Sequence, residues 1–110
     1  MVEKAKMAML LDFYGDVLTD KQREAMDMYY NLDYSLSEIA ENTGISRQVV
    51  RDRLQKSEHI ILELEEKLRL YERFCSMKAD IERMIKQLEQ IRKLAPAEIS
   101  SIIEIAQGLL

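Results

Sequence analysis

The chain has 110 residues, 47% of them apolar and 33% charged, with three glycines, one proline and a formal net charge of −4. That length holds one domain with a modest core, or a small domain carrying an interaction arm, and argues against two full-sized domains. So few structure breakers imply an all-helical chain, while a single cysteine (Cys75) and a single histidine (His59) exclude an internal disulfide and zinc sites of the Cys₄ or Cys₂His₂ type.

The opening MVEKAKMAMLLDFY lacks an uninterrupted apolar run of the signal-peptide kind, and no stretch approaches the roughly 18 apolar residues of a membrane span. The expectation is a protein of a bacterial-type cytoplasm without membrane insertion. Negative charge is unevenly spread. Residues 1–34 carry seven acidic side chains against four basic, residues 58–94 eight of each, and residues 95–110 two acidic and none basic. Within 46–57, by contrast, Arg47, Arg51, Arg53 and Lys56 face a single acid, Asp52. The overall balance argues mildly against nucleic acid, whereas the local concentration on one short element argues for it.

In chain order, Val2, Ala5, Met9 and Phe13, joined by Leu10 and Tyr14, keep the spacing of a helix with one buried face, which Gly15-Asp16 should stop. Thr19 with Gln22 three residues on forms a capping-box pattern. It predicts a second helix reaching about Asn31, with Met26, Tyr29 and Tyr30 among its apolar positions. Ser35 and Glu38 repeat the pattern, and Tyr34 can staple onto Ile39. This helix should be short and end at Gly44, the residue best able to take left-handed angles. Ser46 then caps the next helix while Ile45 staples onto Val50. Two helices joined by three or four residues with a glycine in the turn make a helix-turn-helix, and the small Ala40 suits their close meeting.

No break is expected after Ser46 until about Cys75-Ser76, which gives a helix roughly 45 Å long. Ile61, Leu64, Leu68 and Tyr71, and then Ile81, Met84, Leu88 and Ile91, repeat at heptad-like spacing. Pro96 opens a last helix with Ile99, Ile102, Ile103 and Ala106 as its buried face. The division expected is a helix-turn-helix domain over 1–57 and a helical tail over 58–110. Those two seams are more apolar stripe than one small chain readily buries, so the tail should dimerise, the alternative being an intramolecular hairpin.

In a helix-turn-helix the second helix enters the DNA major groove. Ile39, Ala40, Ile45, Val50 and Leu54 would lock the helices, leaving Arg47, Gln48, Arg51, Gln55 and Lys56 outward. Arg can contact guanine bidentately and Gln adenine, while Lys56 and the backbone at Ser35 and Ser46 suit phosphates. Asp52 counts against this locally. It would accept from cytosine or pair with Lys56 one turn on. The bland alternative is a helical hairpin with a solvated basic face.

The run LTDKQREAMDMYY, followed by YSLSEIAENTGISRQVVRDRLQKSEHII, resembles region 4 of bacterial sigma factors from Leu18 to about Ile61. Too few residues remain for the other promoter-reading and polymerase-binding regions of a sigma factor. The chain from residue 1 to about 95, with MLLDFYGDVLTDKQ, YSLSEIAE and ISRQVVRDRL, resembles more closely the YlxM family of helix-turn-helix proteins of Gram-positive bacteria. The resemblance implies a DNA-binding regulator linked to the signal recognition particle pathway, because members are typically encoded beside the genes for its GTPases. It equally admits an interaction protein that contacts a signal recognition particle protein or RNA and uses the helix-turn-helix as scaffold.

An enzyme is not expected, and neither is a cofactor or a metal. There is no glycine-rich phosphate loop and no nucleophile near a histidine in sequence. His59 and Glu63, one turn apart, read as a solvated pair; Cys75, Met26, Met77 and Met84 read as packing residues.

Overall fold

The computed structural model describes residues 3–110, which contain no β-strand. The helices are α1 (Lys4–Tyr14), α2 (Asp20–Met26), α3 (Leu36–Thr43), α4 (Arg47–Leu68), α5 (Leu70–Ile91) and α6 (Pro96–Gly108). The chain is an all-α helix-turn-helix protein in two compact units, one ending at Tyr71 and the other running Glu72–Leu110.

Local chemistry sets the helix starts in the first unit. The Thr19 and Ser35 hydroxyls accept from the backbone N–H groups of Gln22 and Glu38, whose side chains accept in return from the cap N–H groups. Both capping boxes thus satisfy orphan donors of the first turn. α2 continues through a π-turn, Asp27–Asn31. Leu10, Met26, Ile39, Val50 and Ile61 are fully buried together, with Tyr34 and Ile45 packed at the edge as the staples require.

The buried face of α1 differs from expectation. Met7, Leu10, Leu11 and Tyr14 face the core, while Ala5 and Met9 are exposed and Phe13 is only partly buried; Val2 lies outside the described residues. The expected stripe used the same spacing but sat on the neighbouring strip of the helix, a choice that only the packing partner decides.

The long helix also ends earlier. Its break falls at Arg69, which takes left-handed angles (φ 56°), and α5 then passes through Cys75-Ser76 without interruption. Tyr14 and Glu65 fix this break. The Tyr14 hydroxyl donates to Glu65 Oε1 at 2.6 Å and accepts from the Leu70 N–H at 3.1 Å, and the Tyr71 N–H donates to Glu65 Oε1 at 3.0 Å. Two amides of the new first turn are thereby satisfied by side chains. Phe13 meets Tyr71 edge-on, with ring centroids 6.3 Å apart. The first unit therefore extends to Tyr71, beyond the boundary expected after residue 57.

In the second unit α6 folds back on α5 after a short 3₁₀ turn, burying Ile81, Ile85, Ile99 and Ile103, with Leu88, Ala95 and Ala106 packed beside them. Pro96 occupies the first turn of α6, where its missing N–H costs nothing. Cys75, Met77 and Met84 are exposed, contrary to the packing role expected of them; Met26 is buried. The α5 stripe that meets α6 is Ile81, Ile85 and Leu88, which leaves the 77/84/91 positions beside it.

Candidate nucleic-acid interface

α3 packs on α4 across the turn Gly44-Ile45-Ser46, which is short enough only because Gly44 adopts φ 72°, ψ 22° at the end of α3. Its N–H donates to the Ala40 carbonyl at 2.9 Å. Ser46 then caps α4, accepting from the Val49 N–H at 3.1 Å. Val50, Leu54, Ser57 and Ile61 form the inward stripe of α4. Ser57 is tolerated there because its hydroxyl donates to the Arg53 carbonyl at 2.7 Å.

This stripe fixes what points away from it. Arg47, Gln48, Arg51, Gln55 and Lys56 are all exposed. Arg47, Gln48 and Arg51 converge with Leu36 on one flank of α4, near the start of α3. Lys56 lies on the other flank beside Arg53 and Asp52, facing Thr19, Lys21 and Gln22 of the α2 region. The residues singled out in the sequence thus fall into two groups astride α4. Gln55 sits with Arg51 in a groove of about 700 Å³ whose walls include Lys4, Tyr29 and Tyr30.

Among the described residues, Arg47, Arg51, Arg53 and Lys56 form no ion pair, so their charge is available to a partner. Asp52 is engaged by Gln48, whose Nε2 donates to Asp52 Oδ1 at 3.0 Å, rather than by Lys56. Reading a base with Gln48 would require this bond to be exchanged. The hydroxyls of Ser35 and Ser46 are occupied as caps, which leaves the backbone at the starts of α3 and α4, not the side chains, to meet an anion. Lys21 and Arg53 complete the second cationic group and were not among the binding residues expected. Arg53 was legible as charge, but Lys21 is 32 residues upstream of Arg53, and only the packing of α2 on α4 joins them.

The tyrosines of the π-turn brace this face. The Tyr30 hydroxyl donates to Glu58 Oε1 on α4 at 2.5 Å, and burial, together with that carboxylate, raises the Tyr30 pKa. Lys4 Nζ sits 4.2 Å from the Tyr29 ring centroid and 3.1 Å from Asp33 Oδ1. His59 and Glu63 are both solvent-exposed, with 3.6 Å between Nε2 and Oε2.

The expected dimerisation residues divide between the units. Ile61 lies in the first core, Leu64 and Tyr71 pack against it, and Leu68 is exposed. Ile81 and Leu88 pack toward α6, whereas Met84 and Ile91 are exposed.

A family model described as "Putative helix-turn-helix protein, YlxM / p13 like" (UPF0122) matches residues 1–103. The chain belongs to this family. A UPF0122 protein of Thermoanaerobacter sp. (strain X514) is 46% identical over 99 residues, spanning 89% of this chain and 85% of the relative. A UPF0122 protein of Clostridium kluyveri is 37% identical over 99 residues, with 90% and 89% covered. One of Staphylococcus epidermidis is 35% identical over 105 residues, with 96% and 94% covered. Family membership and an all-α fold point away from an enzyme. No helix among the described residues is long and apolar enough to cross a membrane.

Proposed function

We propose that this UPF0122 protein is a cytoplasmic, non-enzymatic regulator that binds double-stranded DNA by laying the first two turns of α4 in the major groove. The observation that carries this reading is the set of four cations astride α4 that have no ion-pair partner among the described residues, presented at the end of a capped, glycine-turned helix pair. Arg47 and Arg51 read base edges, with Gln48 and Gln55 alongside them. Lys56, Arg53, Lys21 and the backbone amides of the first turn of α4 after Ser46 hold phosphates, while the Ser35 amide stays with the Glu38 carboxylate.

The two roles are separable by substitution. Arg51→Ala should cost about 1–3 kcal/mol on a specific site and relax base preference there, whereas Lys56→Ala should weaken all sequences alike. Both side chains are exposed, so circular dichroism should not change. An Arg47→Ala/Arg51→Ala protein that binds duplex DNA as tightly as the parent at several salt concentrations would remove the groove assignment.

A second reading draws on the acidic surface of residues 1–34, with seven acidic side chains against four basic. Such a surface repels duplex DNA and favours a basic partner. In that reading the chain contacts a basic surface of a signal recognition particle protein, and the helix-turn-helix serves as scaffold.

A further inference from the structure

The unit from Glu72 to Leu110 is a two-helix hairpin of 39 residues whose buried core is four isoleucines. Chains of that size rarely stay folded without a disulfide, a metal or association. Cys75 has no second cysteine to pair with, and no group of three or more metal-ligating side chains occurs among the described residues.

Helical geometry sets what lies beside the core. On α5, Met77, Met84 and Ile91 follow one another at seven-residue intervals, about 60–80° around the axis from the Ile81/Ile85/Leu88 stripe. On α6, Ile102 and Ile105, followed by Leu109 at its C-terminal cap, lie displaced from the Ile99/Ile103 stripe in the same rotational sense. Because α6 runs back along α5, displacement in the same sense places both rows on the same side of the hairpin. All six side chains are exposed, Met84 at 51% and Ile105 at 67%. A contiguous patch of that kind is a mark of association rather than ordinary surface.

We infer that this face pairs with the same face of a second copy, making a two-fold bundle of four helices from the hairpins of two chains. Two features select a second copy. The hairpin carries six basic and six acidic residues, so two copies meet without net repulsion, whereas the unit before it carries the whole net charge of −4. A face made of two equivalent apolar rows is self-complementary under a two-fold axis, the commonest oligomer symmetry. The interface excludes Ile61, Leu64 and Tyr71, which pack within the first unit.

This inference does not depend on DNA binding and is tested without nucleic acid, by sedimentation equilibrium of the full chain at one to fifty micromolar. The parent should have the mass of a dimer, and Met84→Glu/Ile105→Glu should sediment as a helical monomer. The milder Ile105→Ser should raise the dissociation constant at least tenfold, and Val17→Glu, at an exposed apolar residue of the first unit, should remain dimeric. A parent that is monomeric at fifty micromolar overturns the inference and gives the face to another covering partner. A Met84→Glu/Ile105→Glu protein that stays dimeric overturns the choice of face.

Discussion

The helices before Tyr71 and those after Glu72 obey the same propensities, yet only the first set closes on itself. In the first unit three helix starts are capped by side chains, and a twelve-residue core drawn from all four helices includes five residues with no exposed surface. In the second, α6 starts at Ala95 with no side-chain cap, and the core comes from two helices. An apolar stripe becomes a core only where enough other stripes meet it; elsewhere it remains an offer of contact.

The largest expected effect sets the two cores against each other. Ile61→Ala should destabilise the first unit by about 2–5 kcal/mol because a fully enclosed side chain leaves a cavity. Ile85→Ala, at the edge of the hairpin core, should fall at the low end of that range. Denaturant unfolding that gives equal losses would break the distinction between the two regions.

The turn comes next. A Cβ on Gly44 would meet nothing within 4 Å, so Gly44→Val tests backbone strain alone. A loss of roughly 1–2 kcal/mol is expected, and an unchanged melting temperature would contradict the left-handed assignment. Smaller still are the caps. Ser46→Ala should cost about 1 kcal/mol, and Ala95→Ser should add up to about 1 kcal/mol by supplying the cap that α6 lacks.

What the sequence made legible was local. Thr19–Gln22, Ser35–Glu38, Gly44 and Ser46 each act within three or four residues, and each behaves as its pattern implied. The break at Arg69 was not legible, because the groups that stabilise it include Tyr14, more than fifty residues away. The heptad-like spacing of 61, 64, 68 and 71 suggested one outward seam, yet the first of these residues is core. Periodicity identifies an apolar face without naming what covers it. The candidate site was half legible for the same reason. Arg47, Gln48 and Arg51 are contiguous on one helix, while Lys21 joins the cations only through tertiary packing.

The least effect near neutral pH is that of Tyr14. Burial, with help from the Glu65 carboxylate, raises its pKa, so the folded state holds the phenolic proton more tightly than the unfolded chain. Its contribution is fully present below the unfolded value of about 10 and is lost as pH rises through the higher folded value. The melting temperature of the parent should therefore fall with rising alkalinity, and Tyr14→Phe should flatten that dependence. Parallel pH profiles would show that the Tyr14–Glu65 link does not hold the α4–α5 junction.

Binding of the intact protein to random duplex DNA and to signal recognition particle RNA, followed by fluorescence anisotropy between 50 and 200 mM salt, most directly tests whether the α4 face is a DNA-binding surface. Each neutralised phosphate contributes about 0.9 to the salt slope. One α4 should therefore give a slope of magnitude about 3, and a paired protein about 6. Duplex binding with such a slope, reduced in slope by about 1 and weakened on every sequence by Lys56→Ala, is the result predicted. No duplex binding at 50 mM salt, alongside tight association with the particle RNA, would contradict it.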